Sequence, residues 1–302
     1  MSYYLGIDGG GTKTVAILSK DDGTIIDTAR IGPTNYKGVG IEKTKDEFWS
    51  MFKYFFSRDK VSLKDIKSLC LGGAGVDFEE DKEILKNMFY SLGYKNKILI
   101  YNDSVTTLVG ANGEKKGAIL ISGTGSVAYG IDLDNNPIRV GGWGHFIDDL
   151  GSGFAIGKDA LSKIMESYDG RCKQTILWEK VSTKLQIKSH DELISFIYNP
   201  KTNKNNIAEI AVIVIDSYLE DDVAKEIIDK AVEDLFIMVK TLSEKMNCND
   251  FPLSFSGSVL VKSPLIRKLL EKRIKKELPQ IVIHDSYNDG AYGALILALE
   301  NS

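Results

Sequence analysis

Residues 3–18 read YYLGIDGGGTKTVAIL, two short apolar runs joined by a turn with three consecutive glycines. The β-branched and aromatic residues on both sides of this turn predict two strands, and an Asp-Asp-Gly turn at 21–23 leads to a third strand at 24–31. Residues 117–141 repeat this order, with the apolar run GAILIS, a Gly-Thr-Gly turn, a second strand and the start of a third. Two strand meanders of the same form at distant positions indicate an internal repeat.

The remainder of each half also follows a common order. The predicted elements of the first half are a helix at 42–56, a strand at 68–71, a helix at 79–92, a strand at 98–101 and a helix at 105–111. Those of the second half are a helix at 224–246, a strand at 253–255, a helix at 264–277, a strand at 281–284 and a helix at 291–299. We therefore expect an α/β protein of two similar domains with mixed sheets facing each other across a cleft, residues 1–112 and 113–302. A helical insertion at about 152–222 belongs to the second domain. The alternative is one continuous α/β domain in which the similarity is coincidental.

Composition narrows the class of protein. The chain has 302 residues, 43% of them hydrophobic and 26% charged, with a formal net charge of −4, which is ordinary globular usage. A protein that binds nucleic acid through phosphate contacts normally carries a basic excess, so we expect no nucleic-acid partner. Cys70, Cys172 and Cys248 lie far apart without metal-ligand spacing, which argues against a zinc site or a disulfide framework. We find no signal-like leader and no apolar stretch of membrane-spanning length, so the expectation is a cytoplasmic protein without membrane association.

Both meanders contain a glycine-rich turn that is suited to phosphate. The first turn is Asp8 to Lys13 and the second is Gly123 to Ser126. Glycine lets backbone N–H groups approach an anion closely, because no Cβ blocks the way. Either turn alone is equally consistent with a simple hairpin, but two at equivalent positions favour a polyphosphate ligand. Neither turn leads into a helix, which excludes a Walker loop and a dinucleotide-binding fingerprint.

Carboxylates and a tryptophan loop complete the candidate site. Asp8 follows a buried strand and is placed to hold Mg²⁺ beside phosphates, although a carboxylate that caps the turn is the simpler alternative. Asp103 ends another apolar strand, where it can accept a proton from a hydroxyl nucleophile or cap the following helix. The segment GGWGH at 141–145 places a tryptophan among glycines in a loop, which is typical of a wall that faces a ligand.

At this point several short motifs match a known family in its own order. They are GIDGGGTKT at 6–14, PTN at 33–35, NDS at 102–104, ISGTGS at 121–126, GGWGH at 141–145 and GSV at 257–259. Together they resemble the sugar-kinase/actin superfamily and, within it, the BadF/BadG/BcrA/BcrD ATPase family, which includes N-acetylglucosamine kinases. The resemblance covers essentially the whole chain. It implies two actin-like (ribonuclease H-like) domains with five-stranded mixed sheets flanking a central cleft for ATP and sugar.

The resemblance also implies a role for individual residues. ATP phosphates would be bound by Gly10, Gly11, Thr12 and Lys13 and by Gly123, Thr124, Gly125 and Ser126. The adenosine end would contact Gly257, Ser258 and Val259. The amino sugar would be bound by Asn35, Asp103, Gly142, Trp143, Gly144 and Asp149. Asp103 would be the catalytic base for the 6-hydroxyl of the sugar, and Asp8 the residue that holds Mg²⁺.

The implied activity is a Mg·ATP-dependent kinase that phosphorylates an amino sugar at O6. N-acetylglucosamine is the first choice of substrate. N-acetylmuramic acid is the second, because Lys37 beside Asn35 is placed to pair with an acidic substituent, unless it is merely a solvated lysine. The family's G-D-E-G-S run becomes DDLGS at 148–152, which leaves the sugar preference open. Alternatives are a glucosamine kinase, an ATPase activator of a radical dehydratase or reductase, and a sugar sensor without catalysis. The resemblance further implies a homodimer.

Overall fold

The computed structural model describes residues 2–246, 248 and 250–301, which fall into two compact units. The first unit combines Met1–Ile119 with Asp285–Ser302, and the second is Leu120–His284. Within the described ranges no helix combines the length and the apolarity needed to cross a bilayer.

The strands of each repeat follow one another along the chain in the order that the sequence predicts. The strands are β1 (Tyr3–Gly9), β2 (Thr14–Lys20), β3 (Ile25–Ile31), β4 (Ile66–Gly73), β5 (Lys97–Asn102), β6 (Gly117–Ser122), β7 (Ser126–Ile131), β8 (Pro137–Gly141), β9 (Pro252–Ser256) and β10 (Val282–His284). The helices are α1 (Tyr36–Val39), α2 (Ile41–Asp59), α3 (Glu79–Ser91), α4 (Asp103–Asn112), α5 (Gly153–Tyr168), α6 (Leu177–Leu185), α7 (His190–Ile197), α8 (Lys204–Ala208), α9 (Ile210–Asp216), α10 (Asp222–Lys245), α11 (Ser258–Lys262), α12 (Pro264–Glu277) and α13 (Gly290–Glu300).

Each unit contains one five-stranded mixed sheet, and the two sheets have the same strand order. The first runs β3-β2-β1-β4-β5 and the second β8-β7-β6-β9-β10, so every strand has a counterpart in the other sheet. In the first sheet β1 pairs antiparallel with β2 and parallel with β4, and β4 pairs parallel with β5. In the second, β7 and β8 are antiparallel and β9 and β10 parallel. The predicted fold class of two mixed five-stranded α/β units is confirmed.

The register of the first sheet gathers candidate residues at one edge. Gly9 at the end of β1 lies opposite Gly73 on β4, and Gly73 lies opposite Asn102 on β5. Ligands of open α/β sheets bind outside the carboxyl ends of parallel strands, and all three of these ends meet here. Asp8 and Asp103, on either side of β4, are thereby brought to the same edge.

Aromatic side chains on α2 form part of the hydrophobic core of the first unit, together with residues of the sheet and of α3. Phe48, Phe52 and Phe55 recur at helical spacing and are wholly buried, and the Phe48 ring lies 4.6 Å from that of Phe89 on α3. This cluster packs against the sheet and makes it a rigid platform for its carboxyl edge.

The last helix belongs to the first unit, whereas the sequence predicted a single boundary at 112/113 and assigned this helix to the second domain. The reason is close packing through small residues. A Cβ on Gly6 of β1 would lie 2.3 Å from the Leu295 backbone nitrogen, and one on Gly293 would lie 1.9 Å from the Thr106 carbonyl. Only glycine permits backbones to approach this closely, so α13 packs directly on β1 and α4. In the second unit, the predicted helical insertion contains α5 to α9.

Candidate active site

The first glycine-rich turn, residues 10–13, joins β1 to β2 in the first unit. The Gly10 N–H donates to the Lys13 carbonyl at 3.1 Å, and the Gly10 carbonyl accepts from Thr34 at 3.1 Å. Because a trans peptide directs its carbonyl and the next N–H to opposite sides, the Gly11 N–H points away from Thr34. Gly11, Thr12 and Lys13 are exposed, and no atom lies within 4 Å of the position of a Gly11 Cβ. The turn therefore offers an N–H group, a hydroxyl and a cation to open space, as an anion site requires.

Asp8 lies at the base of this turn, half-buried at the end of β1. Burial, together with the nearby carboxylates of Asp103 and Asp289, raises its pKa to about 6, while Lys13 opposes the shift. Burial is the largest cause of this shift, and the part that comes from the two neighbouring carboxylates is a repulsion that a bound cation would relieve.

Asp103 is the first residue of α4, so the helix begins two residues earlier than predicted. The Asn102 side chain caps it by accepting from the Ser104 N–H at 2.9 Å. The hydroxyls of Thr106 and Thr107 donate to the Asp103 carbonyl at 3.1 and 2.7 Å. A carboxylate in the first turn of a helix is stabilised as the anion, which suits a group that orients a hydroxyl and receives its proton.

Asp289 is a third carboxylate here, and the sequence reasoning missed it. It caps α13 by accepting from the Tyr292 N–H at 3.1 Å. The next residue, Gly290, lies directly against Asp8, since a Cβ there would be 3.2 Å from the Asp8 Cγ. The sequence signal was available in the Asp-Gly pair that precedes an apolar helix. It was overlooked because α13 was assigned to the other domain.

The donor chemistry at this edge fits Mg²⁺. Among the described residues no group of three or more potential ligands is arranged to hold a metal by itself. Mg²⁺ usually keeps several waters and binds through one or two carboxylates together with substrate phosphates. Asp8, beside a turn that is suited to phosphate, satisfies this requirement.

Asn35 starts the short helix α1 on the same unit. Its carbonyl oxygen Oδ1 accepts from the Lys37 N–H at 3.2 Å, and its amide lies beside Gly75, where a Cβ would be 3.5 Å away. The Lys37 ammonium is not merely solvated. It donates to Asp81 at 2.8 Å and to the Gly75 carbonyl at 2.7 Å. These bonds use two of its three N–H donors, so pairing with an acidic substituent of the substrate stays a prediction.

The second glycine-rich turn, Gly123–Ser126, lies in the second unit against the start of α5. The N–H groups of Gly153 and Phe154 donate to the carbonyls of Gly123 and Thr124 at 2.8 and 3.3 Å. These bonds satisfy N–H groups that a helix start leaves without an intrahelical partner. Because each peptide is planar and trans, the N–H groups of Thr124 and Gly125 point away from α5.

The GSV segment lies beside this second turn. Gly257 has a φ of +87°, and a Cβ there would lie 2.3 Å from the Ser122 carbonyl oxygen, so only glycine fits. The backbone nitrogen of Ser258 lies 3.5 Å from the position of a Gly123 Cβ. The Val259 side chain, by contrast, is only 6% exposed and packs into the core. Gly257 and Ser258 thus lie beside the turn, whereas the Val259 side chain is part of the core.

The tryptophan loop, residues 141–151, is tied to the same turn through Asp149. Burial raises the pKa of the Asp149 carboxyl even though the backbone N–H groups of Ser126 and Gly144 hydrogen-bond to it. The carboxylate also touches the turn, since a Cβ on Gly125 would be 2.8 Å from its Oδ2. Asp149 therefore links the tryptophan loop to the second glycine-rich turn, beyond the sugar contact that the sequence predicted.

Glycines shape the loop, and Trp143 remains exposed on it. Gly142 and Gly144 have φ values of +76° and +100°. Trp143 is 64% exposed, and the Arg139 guanidinium lies 4.4 Å from its ring centroid. A cation over one face of the ring holds the indole in place and leaves the rest of its surface accessible.

A model of the BadF/BadG/BcrA/BcrD ATPase family matches residues 5–298. The chain belongs to this family. The N-acetylmuramic acid/N-acetylglucosamine kinase of Clostridium acetobutylicum is 35% identical over 301 residues, covering 99% of this chain and 98% of that one. The N-acetyl-D-glucosamine kinase of Dictyostelium discoideum is 30% identical, covering 99% and 98%. The family resemblance inferred from the motifs is confirmed.

Solved structures of other proteins have a similar fold. A Chromobacterium violaceum protein, provisionally named an N-acetylglucosamine kinase, superposes with a TM-score of 0.82 at 24% identity, covering 99% of both chains. A ROK family glucokinase from Streptomyces griseus superposes with a TM-score of 0.59 at 15% identity, covering 99% of this chain and all of that one. At such identities the likeness concerns the fold, which agrees with the two repeated sheets.

Proposed function

We propose that this protein is an ATP-dependent kinase that transfers the γ-phosphate to the 6-hydroxyl of an amino sugar. The observation that carries the proposal is the position of Asp103, which follows β5 at the same sheet edge as Asp8 of β1. A residue suited to activating a hydroxyl thus shares this edge with a residue suited to the phosphates. Direct transfer of a phosphoryl group from ATP to a sugar hydroxyl requires both groups in one place.

Each unit supplies defined parts of the machinery. In the first unit, Asp103 would accept the proton of the sugar 6-hydroxyl. The sugar O6 would form a bond to the γ-phosphorus of ATP, while the bond between that phosphorus and the β,γ-bridging oxygen breaks and ADP leaves. The turn at 10–13 would bind phosphate oxygens, with Asp8 holding the cation. The chemistry that Mg²⁺ would supply there, held by Asp8 and the phosphates, is neutralisation of charge on the phosphate oxygens.

In the second unit, the N–H groups of Thr124 and Gly125 would bind phosphate, and Gly257 with Ser258 would contact the adenosine end. In the first unit, Asn35 would bind the sugar. The sugar contacts that the resemblance implies for Gly142, Trp143, Gly144 and Asp149 stay predictions. Homodimer formation stays a prediction from the resemblance.

We propose N-acetylglucosamine and N-acetylmuramic acid as the substrates. Support comes from the names of the two full-length relatives, both of which act on N-acetylated amino sugars. Glucosamine is the alternative substrate.

The activator function is disfavoured by the cysteines. A cluster that bridges two subunits requires thiolates at a surface, whereas Cys70 is buried in β4 and burial raises the pKa of its thiol. Cys172 and Cys248 are half-buried in the second unit. A protein purified without air that shows visible cluster absorbance would favour the activator function instead.

The direct test is ADP release from Mg·ATP with a panel of N-acetylglucosamine, N-acetylmuramic acid, glucosamine, N-acetylmannosamine and glucose. We expect one ADP per sugar phosphate and a product phosphorylated at O6, identified by phosphorus NMR. ATP hydrolysis that no sugar stimulates would contradict the proposal.

A further inference from the structure

The carboxylate of Asp81, in the first turn of α3, is the buried centre of a hydrogen-bond network next to Asn35. Its side chain is 7% exposed. Oδ2 accepts from the Lys37 ammonium at 2.8 Å and from the N–H groups of Asp77 and Phe78 at 2.9 and 3.0 Å. Oδ1 accepts from the Tyr36 hydroxyl at 2.5 Å. Four donors converge on one carboxylate, which offsets the cost of burying its charge.

These bonds join two segments that are distant in sequence. One is the α1 turn that carries Asn35, and the other is the β4–α3 loop, residues 74–78. Lys37 also donates to the carbonyl of Gly75 in that loop at 2.7 Å, so its ammonium contacts both partners. The Lys37 N–H donates to Oδ1 of Asn35 and thereby fixes the orientation of the amide, whose Nδ2 carries two N–H donors.

The same loop also contacts the residue that precedes the proposed catalytic base. Nδ2 of Asn102 donates to the Val76 carbonyl at 3.3 Å and to Asp77 Oδ1 at 3.2 Å. Asn102 caps α4, whose first residue is Asp103. The β4–α3 loop is therefore fixed to the Asn35 segment on one side and to the Asp103 segment on the other, and it sets the spacing between them.

Stability alone does not account for this arrangement. Replacing a buried ion pair by apolar residues is often neutral or stabilising, so such pairs are weak evidence for a stabilising role. The Lys37 side chain is 41% exposed, which further reduces what the pair contributes to folding. What the network does provide is a single fixed geometry for three loop segments.

We propose that Asp81 is a positioning residue of the amino-sugar site. Through Tyr36 and Lys37 it fixes the Asn35 side chain relative to Asp103, and it thereby sets the affinity for the sugar and not the affinity for ATP. The inference rests on the proposed kinase function and names residues to which neither the family motifs nor the relatives' names assign a role.

The test compares Tyr36→Phe and Lys37→Met with a matched control, Lys82→Met. Lys82 lies next to Asp81 on α3 and pairs with exposed Glu79 at 2.5 Å, so its loss removes an ion pair from the same helix without touching the network. Each network variant removes one donor and keeps the bulk of the side chain. The KM for sugar, the KM for ATP, kcat and the melting temperature are measured for all four proteins, and the sugar Kd is measured by calorimetry.

We expect the sugar KM and Kd of both network variants to rise about fivefold to tenfold, the loss of roughly one positioned hydrogen bond. The ATP KM and kcat should change less than about twofold, and Lys82→Met should match wild type. An unchanged sugar KM with a lowered melting temperature would show that the network is only structural and would overturn the inference.

Failure of the proposed function has a different signature. If wild type phosphorylates no sugar but binds one, a selective loss of that binding in the two network variants still supports the role of Asp81. If wild type neither phosphorylates nor binds any amino sugar, both proposals are wrong.

Discussion

Replacing Asp8 by asparagine should stabilise the protein at neutral pH while abolishing its activity. The substitution keeps the shape of the side chain and removes a carboxyl group whose pKa is raised from 3.8 to about 6 by burial and by the carboxylates of Asp103 and Asp289. Between those two pH values the folded protein holds a proton that the unfolded chain has released. The free energy of unfolding of wild type therefore falls as the pH rises through this window. In the asparagine variant this decrease is absent.

The magnitude follows from the shift. A difference of about two pH units corresponds to about 3 kcal/mol once the pH exceeds both pKa values. Of this, about 2 kcal/mol develops between about pH 4.5 and about pH 7, a range in which unfolding is easily measured. A carboxylate retained at this cost is expected where function requires it, because active sites commonly trade stability for activity.

The assay is urea unfolding of wild type and Asp8→Asn, followed by circular dichroism at closely spaced pH values. All other titrating groups are common to both proteins, so the difference between their unfolding free energies reports Asp8 together with its coupling to Asp103 and Asp289. Asp21→Asn, at an exposed turn of the same unit, is the matched control for exchanging an aspartate for asparagine away from the site. Removing Asp103 first should shrink the gain from Asp8→Asn, since one source of the raised pKa is then gone. A pH-independent difference between wild type and Asp8→Asn would refute the reasoning.

Three further outcomes follow from the site. Asp289→Asn removes one of the carboxylates around Asp8 and should raise the Mg²⁺ concentration for half-maximal activity about threefold, since a weaker negative field attracts the cation less; an unchanged Mg²⁺ dependence would contradict a role for Asp289. Asp149→Ala releases both the second glycine-rich turn and the Trp143 loop, so steady-state kinetics should show the KM values for ATP and sugar rising together; a rise in the sugar KM alone would limit Asp149 to sugar contact. Gly257→Ala introduces a Cβ at 2.3 Å from a carbonyl oxygen at a φ of +87°, and thermal unfolding should show a destabilisation of about 2 kcal/mol or more; equal melting temperatures would contradict the backbone argument.

Local sequence patterns predicted the elements and the loops well. The meander at 3–31 and its copy from 117 gave strands within a residue or two of those observed, because alternation and turn residues act over short distances. The two glycine-rich turns and Asp103 were located for the same reason, since each lies where a short apolar strand ends.

Tertiary packing decided what the sequence could not predict. The assignment of α13 depends on Gly6 and Gly293 meeting across distant segments, and no local pattern records which helix a glycine will face. Asp289 was missed as a consequence. Lys37 was interpreted without its partner, because Asp81 is 44 residues away and reads locally as an ordinary acid in the first turn of a helix. Val259 was predicted at the ligand together with its neighbours in the motif, although its own side chain is buried in the core.

We propose that Asp103 activates a sugar hydroxyl at the carboxyl edge of the first sheet. The rate of ADP release at saturating N-acetylglucosamine and ATP, compared between wild type and Asp103→Asn, tests this role. We expect kcat to fall at least about 100-fold, while the sugar KM changes much less, because the amide keeps the shape but cannot accept the proton. An Asp103→Asn enzyme that retains wild-type kcat would show that Asp103 is not the base.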